Sequence, residues 1–214
     1  MKVGIIGTGM VGATLGSKLI QLGHEVKMGS RTANNEKAVS WAKQNGSHAS
    51  FGTFADAASF GEVVFNCTAG TVSLAALNSA GASNLKGKVL VDVANPLDFS
   101  KGMPPTLAVC NSDSLGEQIQ RAFPNVKVVK ALNTMNCTVM VEPPLVPGEH
   151  DAFVCGNDAQ AKAKVVDILK SVGWRSIIDL GDISAARGTE MLLPIWLRLW
   201  GLNQNRPFNF RIAR

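Results

Sequence analysis

The chain has no apolar run long enough to cross a membrane. Its densest patch, Met191 to Trp200, is broken by Pro194 and Arg198, whereas a span needs about 20 consecutive apolar residues. It also has no C-x-x-C pair. Cys67, Cys110, Cys137 and Cys155 are scattered, with no histidine pattern beside them, which argues against a zinc site and a disulfide framework and for reduced thiols in a cytoplasmic protein. A signal peptide is not expected either, because Met1-Lys2 leads straight into Val3-Gly4-Ile5-Ile6 and a glycine turn, so the first residues read as a strand. Repeats and low-complexity linkers are missing too. What is present suits an ordinary globular core: 46% hydrophobic and 17% charged residues over 214 positions. That length allows one large α/β domain, or one with a small appendage.

The net charge is +5 and the isoelectric point about 9.2. Residues 182–214 hold five arginines (Arg187, Arg198, Arg206, Arg211, Arg214) against Asp182 and Glu190. The excess favours anionic partners. It lacks the aromatic interleaving of a nucleic-acid platform, so neither nucleic acid nor membrane is expected as a partner.

Strand and helix patterns alternate along the chain. Val3–Ile6 is a short apolar run, followed by glycines and then Val11, Leu15, Leu19 and Ile20 at helical spacing. Glu25–Met28 reads as a second strand, 35–45 as a helix stopping at Asn45-Gly46, and 48–51 as a weak strand before a short helix at 54–60. Residues 62–67, 89–93 and 126–131 are buried parallel-type strands, with helices at 71–80 and 114–122 between them. Then come a strand at 152–155, an amphipathic helix at 159–171, a strand at 175–180 and a last helix over about 182–200, kinked near Pro194. Two long loops, 95–113 and 133–151, leave the carboxyl ends of strands, where open parallel sheets bind ligands.

Gly7-Thr8-Gly9-Met10-Val11-Gly12 is a G-x-G-x-x-G turn placed directly after a strand and opening a helix, the context that a dinucleotide site needs. Gly7 allows the tight turn, Gly9 lets backbone approach a pyrophosphate, and Gly12 permits close helix–strand packing. Free backbone N–H groups at the helix start would face the phosphates. The expected fold is therefore α/β and Rossmann-type: a doubly wound, mostly parallel sheet with a small C-terminal βαβ-helix extension in the same domain. Residues 1–150 would be the nucleotide-binding core. Residues 151–214 would be an extension that lines a second-substrate pocket or a homodimer interface. At the end of the second strand, NAD enzymes usually carry a carboxylate for the adenosine ribose. Here the residues are Gly29-Ser30-Arg31-Thr32. A guanidinium and hydroxyls suit a 2′-phosphate, and Lys37 would add a second positive charge, so NADP(H) is the expected cofactor.

With these residues in place, the chain resembles the NADPH:F420 oxidoreductase family. The likeness extends to Val91-Asp92-Val93-Ala94-Asn95-Pro96-Leu97, to Ser114-Leu115-Gly116-Glu117-Gln118, to Val129-Lys130-Ala131-Leu132-Asn133-Thr134-Met135, and to Val154-Cys155-Gly156-Asn157-Asp158. The resemblance implies that Thr8, Met10, Val11, Ser30 and Arg31 contact the nucleotide. It also implies that Thr68 and Ala69, with Asn95, Ala131 and Asn133, line the nicotinamide end, where a second redox ring, F420 or FMN/FAD, stacks on the nicotinamide. The chain departs from the family archetype at Ala69-Gly70, where that has a proline, at Asn133, where it has a histidine, and in the tail Arg206-Pro207-Phe208-Asn209-Phe210-Arg211.

Hydride transfer between two such rings needs little acid–base help, because the rings carry the chemistry and the protein has to stack them. No acid–base constellation is legible, and His24, His48 and His150 read as structural or solvated. Two alternatives stand beside the oxidoreductase reading. One is a non-enzymatic NADP(H)-binding redox sensor; the other is an NADPH-dependent carbonyl or imine reductase, which would need a proton donor near the nicotinamide.

Overall fold

The first half of the chain builds β1 (Lys2–Ile6), α1 (Met10–Gln21), β2 (Glu25–Ser30), α2 (Glu36–Asn45), β3 (Ala49–Thr53), α3 (Phe54–Phe60), β4 (Val63–Asn66), α4 (Gly70–Ala80), α5 (Ala82–Leu85) and β5 (Val89–Asp92). A small hairpin follows, β6 (Leu97–Asp98) with β7 (Thr106–Leu107). Then come α6 (Leu115–Ala122), β8 (Lys127–Ala131), α7 (Cys137–Val141), β9 (Asp151–Gly156), α8 (Ala159–Val172), β10 (Ser176–Asp179), α9 (Ala186–Met191) and α10 (Leu193–Leu202). This computed structural model describes residues 1–204 and 206–213; Arg214, one of the five C-terminal arginines, lies outside them.

One eight-stranded sheet runs in the order β10-β9-β8-β5-β4-β1-β2-β3. Neighbours from β3 to β8 pair parallel. β9 pairs antiparallel with β8, and β10 returns parallel to β9 after α8. The fold is thus a doubly wound α/β sheet whose C-terminal βαβ unit extends the same sheet. Its central strands are apolar nearly throughout because helices cover both faces. One face packs Leu15, Leu19, Trp41, Val139, Val165 and Leu169, and the other Phe54, Leu77, Leu85, Ile119 and Ile183. Burying each such side chain stabilises the fold by about 1.5–3 kcal/mol.

Local packing fixes the helices that matter for the site. α1 buries Gly12, Leu15, Gly16 and Leu19, the 3–4 spacing of one helical face. Gly16 leaves room for the Trp41 ring of α2, since a Cβ there would stand 2.7 Å from Trp41 Cζ2. Trp41 Nε1 in turn donates to Ser17 Oγ at 3.0 Å and to Ala13 O at 3.2 Å. α2 starts on Asn35, whose side chain accepts from the backbone N–H groups of Lys37 and Ala38.

Several expectations change. The two long loops are not structureless: β6 and β7 lie in the first, α7 and a 3-10 turn at Pro143–Leu145 in the second. These pieces are too short to show a period. α5 is likewise an addition. The single last helix is instead a 3-10 turn (Ile183–Ala185), α9 and α10, with Pro194 in the first turn of α10, where its missing N–H costs nothing. In the apolar patch, Leu193 and Trp196 are buried, while Met191, Ile195, Leu199 and Leu202 remain exposed. The indole of Trp196 stacks between Trp200 (5.1 Å) and Phe208 (5.5 Å). The tail then lies against the start of β9: Asp151 N–H donates to Phe210 O at 2.9 Å, and Ile212 N–H to Asp151 Oδ2 at 2.6 Å. Among the described residues, no helix is long and apolar enough to cross a membrane.

Candidate functional site

After β1, β2 and β3 are laid down on one side, the chain crosses to the other side of β1 to form β4. Strand order therefore reverses between β1 and β4, and a crevice opens beyond their carboxyl ends. The glycine turn and the segment Cys67–Gly70 face each other there. Gly7 has φ +120°, and a Cβ on it would sit 2.7 Å from Cys67 O, so the turn is closed to other residues. A Cβ on Gly12 would stand 2.5 Å from Gly7 O, so this glycine is required by packing. Gly9 differs: a Cβ there meets nothing within 4 Å. Nothing in the protein excludes a side chain at Gly9. Gly9 also begins α1 without a side-chain cap, and the first turn of α1 holds no acidic residue, so its N–H groups are open to an anion.

Thr8, Gly9 and Met10 share a groove of roughly 470 Å³ with Lys37, Ser40 and Trp41. Lys37 is thereby brought to the turn, although 24 residues lie between it and Gly12 in the sequence. Glu36 lines the same groove, a carboxylate that sequence reasoning did not weigh. Val11 opens α1, half-buried. Arg31 is exposed just beyond β2, and among the described residues no ion pair holds it. Ser30 is buried, its hydroxyl donating to Thr32 O, so as it stands its proton is committed to the loop backbone. Open space at Gly9, an uncapped helix start, Lys37 in the groove and an exposed Arg31 just beyond β2 fit a dinucleotide that carries an extra phosphate.

The crevice end is built differently. Asn95 and Asn133 bond to each other: Asn95 Nδ2 donates to Asn133 O at 2.8 Å, and Asn133 Nδ2 to Asn95 Oδ1 at 3.0 Å. They tie the end of β5 to the end of β8. Ala131 is fully buried in the core, so its side chain does not line the crevice. Between Ala131 and Asn133, Leu132 is held at φ +62°, a strained left-handed position for a leucine. Ala69 is exposed at the uncapped start of α4. Thr68 is half-buried, with its hydroxyl 2.7 Å from Asn66 Oδ1 and 2.8 Å from Ser73 Oγ.

Beneath Thr68 runs a polar row that the sequence did not reveal. Asn66, Asp92 and Lys130 are register partners on three adjacent strands, and each is completely buried. Asn66 Nδ2 donates to Asp92 Oδ1 at 2.8 Å. Lys130 Nζ donates to Asp92 Oδ2 at 2.8 Å and to Ala94 O at 2.5 Å, and pairs with Glu190 Oε1 at 2.8 Å. Glu190, from α9, also accepts the Leu115 and Gly116 N–H groups that open α6. Burial works against the Lys130 charge, but Asp92 and Glu190 outweigh it and hold its pKa above the usual lysine value. The only legible trace in the sequence is a single polar residue at or next to the end of each apolar strand.

Two of the three histidines are placed structurally. His24 lies beside the N-terminal amine, and His150 bonds Pro143 O and Asn209 Nδ2 while packing edge-on against Trp174. Burial, with Asp92 adding, pushes the Cys67 thiol well above its ordinary pKa, so it stays protonated. Among the described residues, no cluster could hold a metal ion.

The family profile described as NADP oxidoreductase, coenzyme F420-dependent, matches residues 2–96. Over 212 residues the chain is 31% identical to the F420-dependent NADP reductase of Methanocaldococcus jannaschii, covering 95% of this chain and 92% of that one. It is 30% identical to the rat metalloreductase STEAP3 but spans only 38% of its length. A crystal structure of a candidate F420-dependent NADP reductase from Arthrobacter sp. FB24 superposes with a TM-score of 0.96 at 55% identity, covering both chains fully. An Aspergillus terreus reductive aminase in complex with NADPH shares the fold alone, with a TM-score of 0.68 and 16% identity over 95% of this chain and 62% of that one. The chain belongs to the F420-dependent NADP reductase family of oxidoreductases.

Proposed function

We propose that the protein transfers hydride between NADP(H) and a deazaflavin of the F420 type, with flavins as the next acceptors to try. The observation that carries the cofactor side is an unobstructed Gly9 backbone that shares one groove with Lys37, with Arg31 exposed just beyond β2. Gly9, Met10 and Val11 would present backbone N–H groups to the pyrophosphate, and Arg31 and Lys37 would take the 2′-phosphate. Thr68 and Ala69 would bound the nicotinamide ring. Bound NADPH supplies the hydride.

The chain's own part is to align the rings and keep water out. No proton donor is needed from it, and the charged groups beneath Thr68, Asp92 and Lys130, are sealed and fully hydrogen-bonded. That favours ring-to-ring transfer over carbonyl or imine reduction, which requires a protonating group. We further propose residues 1–150 as the cofactor core, the segment from Asp151 onward as the acceptor side, and a cytoplasmic setting, in line with four free thiols.

Mixing the protein and NADPH with F420, FMN or FAD tests this reading. Oxidation of NADPH, followed by loss of its near-ultraviolet absorbance, is expected with F420. Failure with all three acceptors would leave only a nucleotide-binding module.

A further inference from the structure

The buried row under the crevice has a direction. Lys130 is an ammonium whose three protons go to Asp92, Ala94 O and Glu190. Asp92, receiving one of them on Oδ2, has only acceptors to offer, so the group facing its Oδ1 must be the Asn66 NH2. That fixes the Asn66 amide. Its second N–H goes to Ser73 Oγ at 3.1 Å, and its carbonyl oxygen is turned to Thr68. Thr68 must therefore donate its hydroxyl proton inward to Asn66 Oδ1, at 2.7 Å. The short Thr68–Ser73 contact of 2.8 Å is then a Ser73 proton given to Thr68 rather than to the more distant Ala69 O at 3.3 Å. A threonine hydroxyl has one proton and two lone pairs. With the proton spent and one lone pair occupied, Thr68 has a single acceptor site left on its half-buried side.

We propose that Thr68 is a specificity-determining acceptor: it takes a hydrogen bond from the carboxamide N–H of the nicotinamide, and the buried Lys130–Asp92–Asn66 row sets that polarity. The inference rests on the cofactor reading above. It assigns Lys130, Asp92 and Asn66 as positioning residues, since none of them reaches the crevice. A donor such as an N–H is favoured at this place, and a bare carbonyl would meet a lone pair.

The test uses the whole chain and equilibrium binding of two reduced cofactors, NADPH and its 3-acetylpyridine analogue, whose acetyl group has no N–H. The unmodified protein should prefer NADPH by about three- to tenfold, the range for one hydrogen bond. Thr68→Val should remove that preference by weakening NADPH alone, whereas Thr68→Ser should keep it. Asp92→Asn probes the polarity. Asp92 Oδ1 also accepts the Ala94 N–H at 3.2 Å, so an amide at position 92 cannot serve Lys130, Ala94 and Asn66 together, and the polarity that fixes Asn66 and turns the Thr68 proton inward is lost. The preference should then vanish or reverse.

Equal losses for both cofactors in Thr68→Val would overturn the proposal. So would an unchanged preference in a folded Asp92→Asn. Should Asp92→Asn not fold, the Val and Ser contrast at Thr68 still decides. No binding of either cofactor by the unmodified protein would instead bring down the cofactor reading, and this inference with it.

Discussion

Arg31 ends up exposed beyond β2 with no ion-pair partner among the described residues, so its charge is available to a ligand. Replacing it with alanine should weaken NADPH by about 1.5–3 kcal/mol, the range for a hydrogen bond to a charged group, and leave NADH nearly unchanged. Titration calorimetry with both cofactors checks this, and a matched loss would show that the guanidinium does not read the extra phosphate. The shape of the glycine turn and the exposed place of Arg31 were legible because both are local, a few residues after a strand. Asn66, Asp92, Lys130 and Glu190 were not. The first three each stand alone between apolar neighbours, and only strand register and the return of α9 bring the four within bonding distance. A sequence does not state register.

The start of α1 separates a glycine needed by the fold from one needed by the ligand. Gly12→Ala would press a methyl group onto Gly7 O, and such overpacking costs about 1–3 kcal/mol; urea unfolding should show it. Gly9→Ala meets open space, so stability should drop by no more than about 1 kcal/mol, the penalty for alanine at a helix start, while NADPH affinity falls further. A reversed pattern would sink the division. At α6, the Arg121 side chain grips Asp113 with two bonds, at 2.9 and 2.8 Å, and this holds the Asp113 carboxyl at about 2 despite partial burial. A depressed carboxylate stabilises the fold above its ordinary value near 3.9, and that contribution is lost as pH falls through about 2. Arg121→Gln should therefore be less stable than the unmodified protein near neutral pH, with the gap closing in strong acid. Long periodic helices such as α1 and α8 could be read from the sequence. α5, α7 and the β6–β7 hairpin could not, being too short for periodicity, and Pro194 opens a helix where an interrupted one was expected.

Across the whole molecule, the Lys130–Glu190 pair ties the sheet to α9 and, through the α6 N-terminus, to the opposite end of the chain's second half. Lys130→Met would strand two buried carboxylates. Removing one partner of a buried ion pair typically costs about 3–5 kcal/mol, so a large drop in denaturant midpoint is expected. At this scale the α/β layering was legible from alternating strands and helices, but the direction of β9 was not. That direction has a geometric result. Because β9 runs opposite to β8, the stretch from Leu132 to His150 departs and arrives on a single rim of the sheet and never has to travel to the far one. A parallel β9 would have used those residues as a covering helix; one inverted strand instead leaves them, together with the tail that pairs with Asp151, as material gathered on the rim where the ligands would sit.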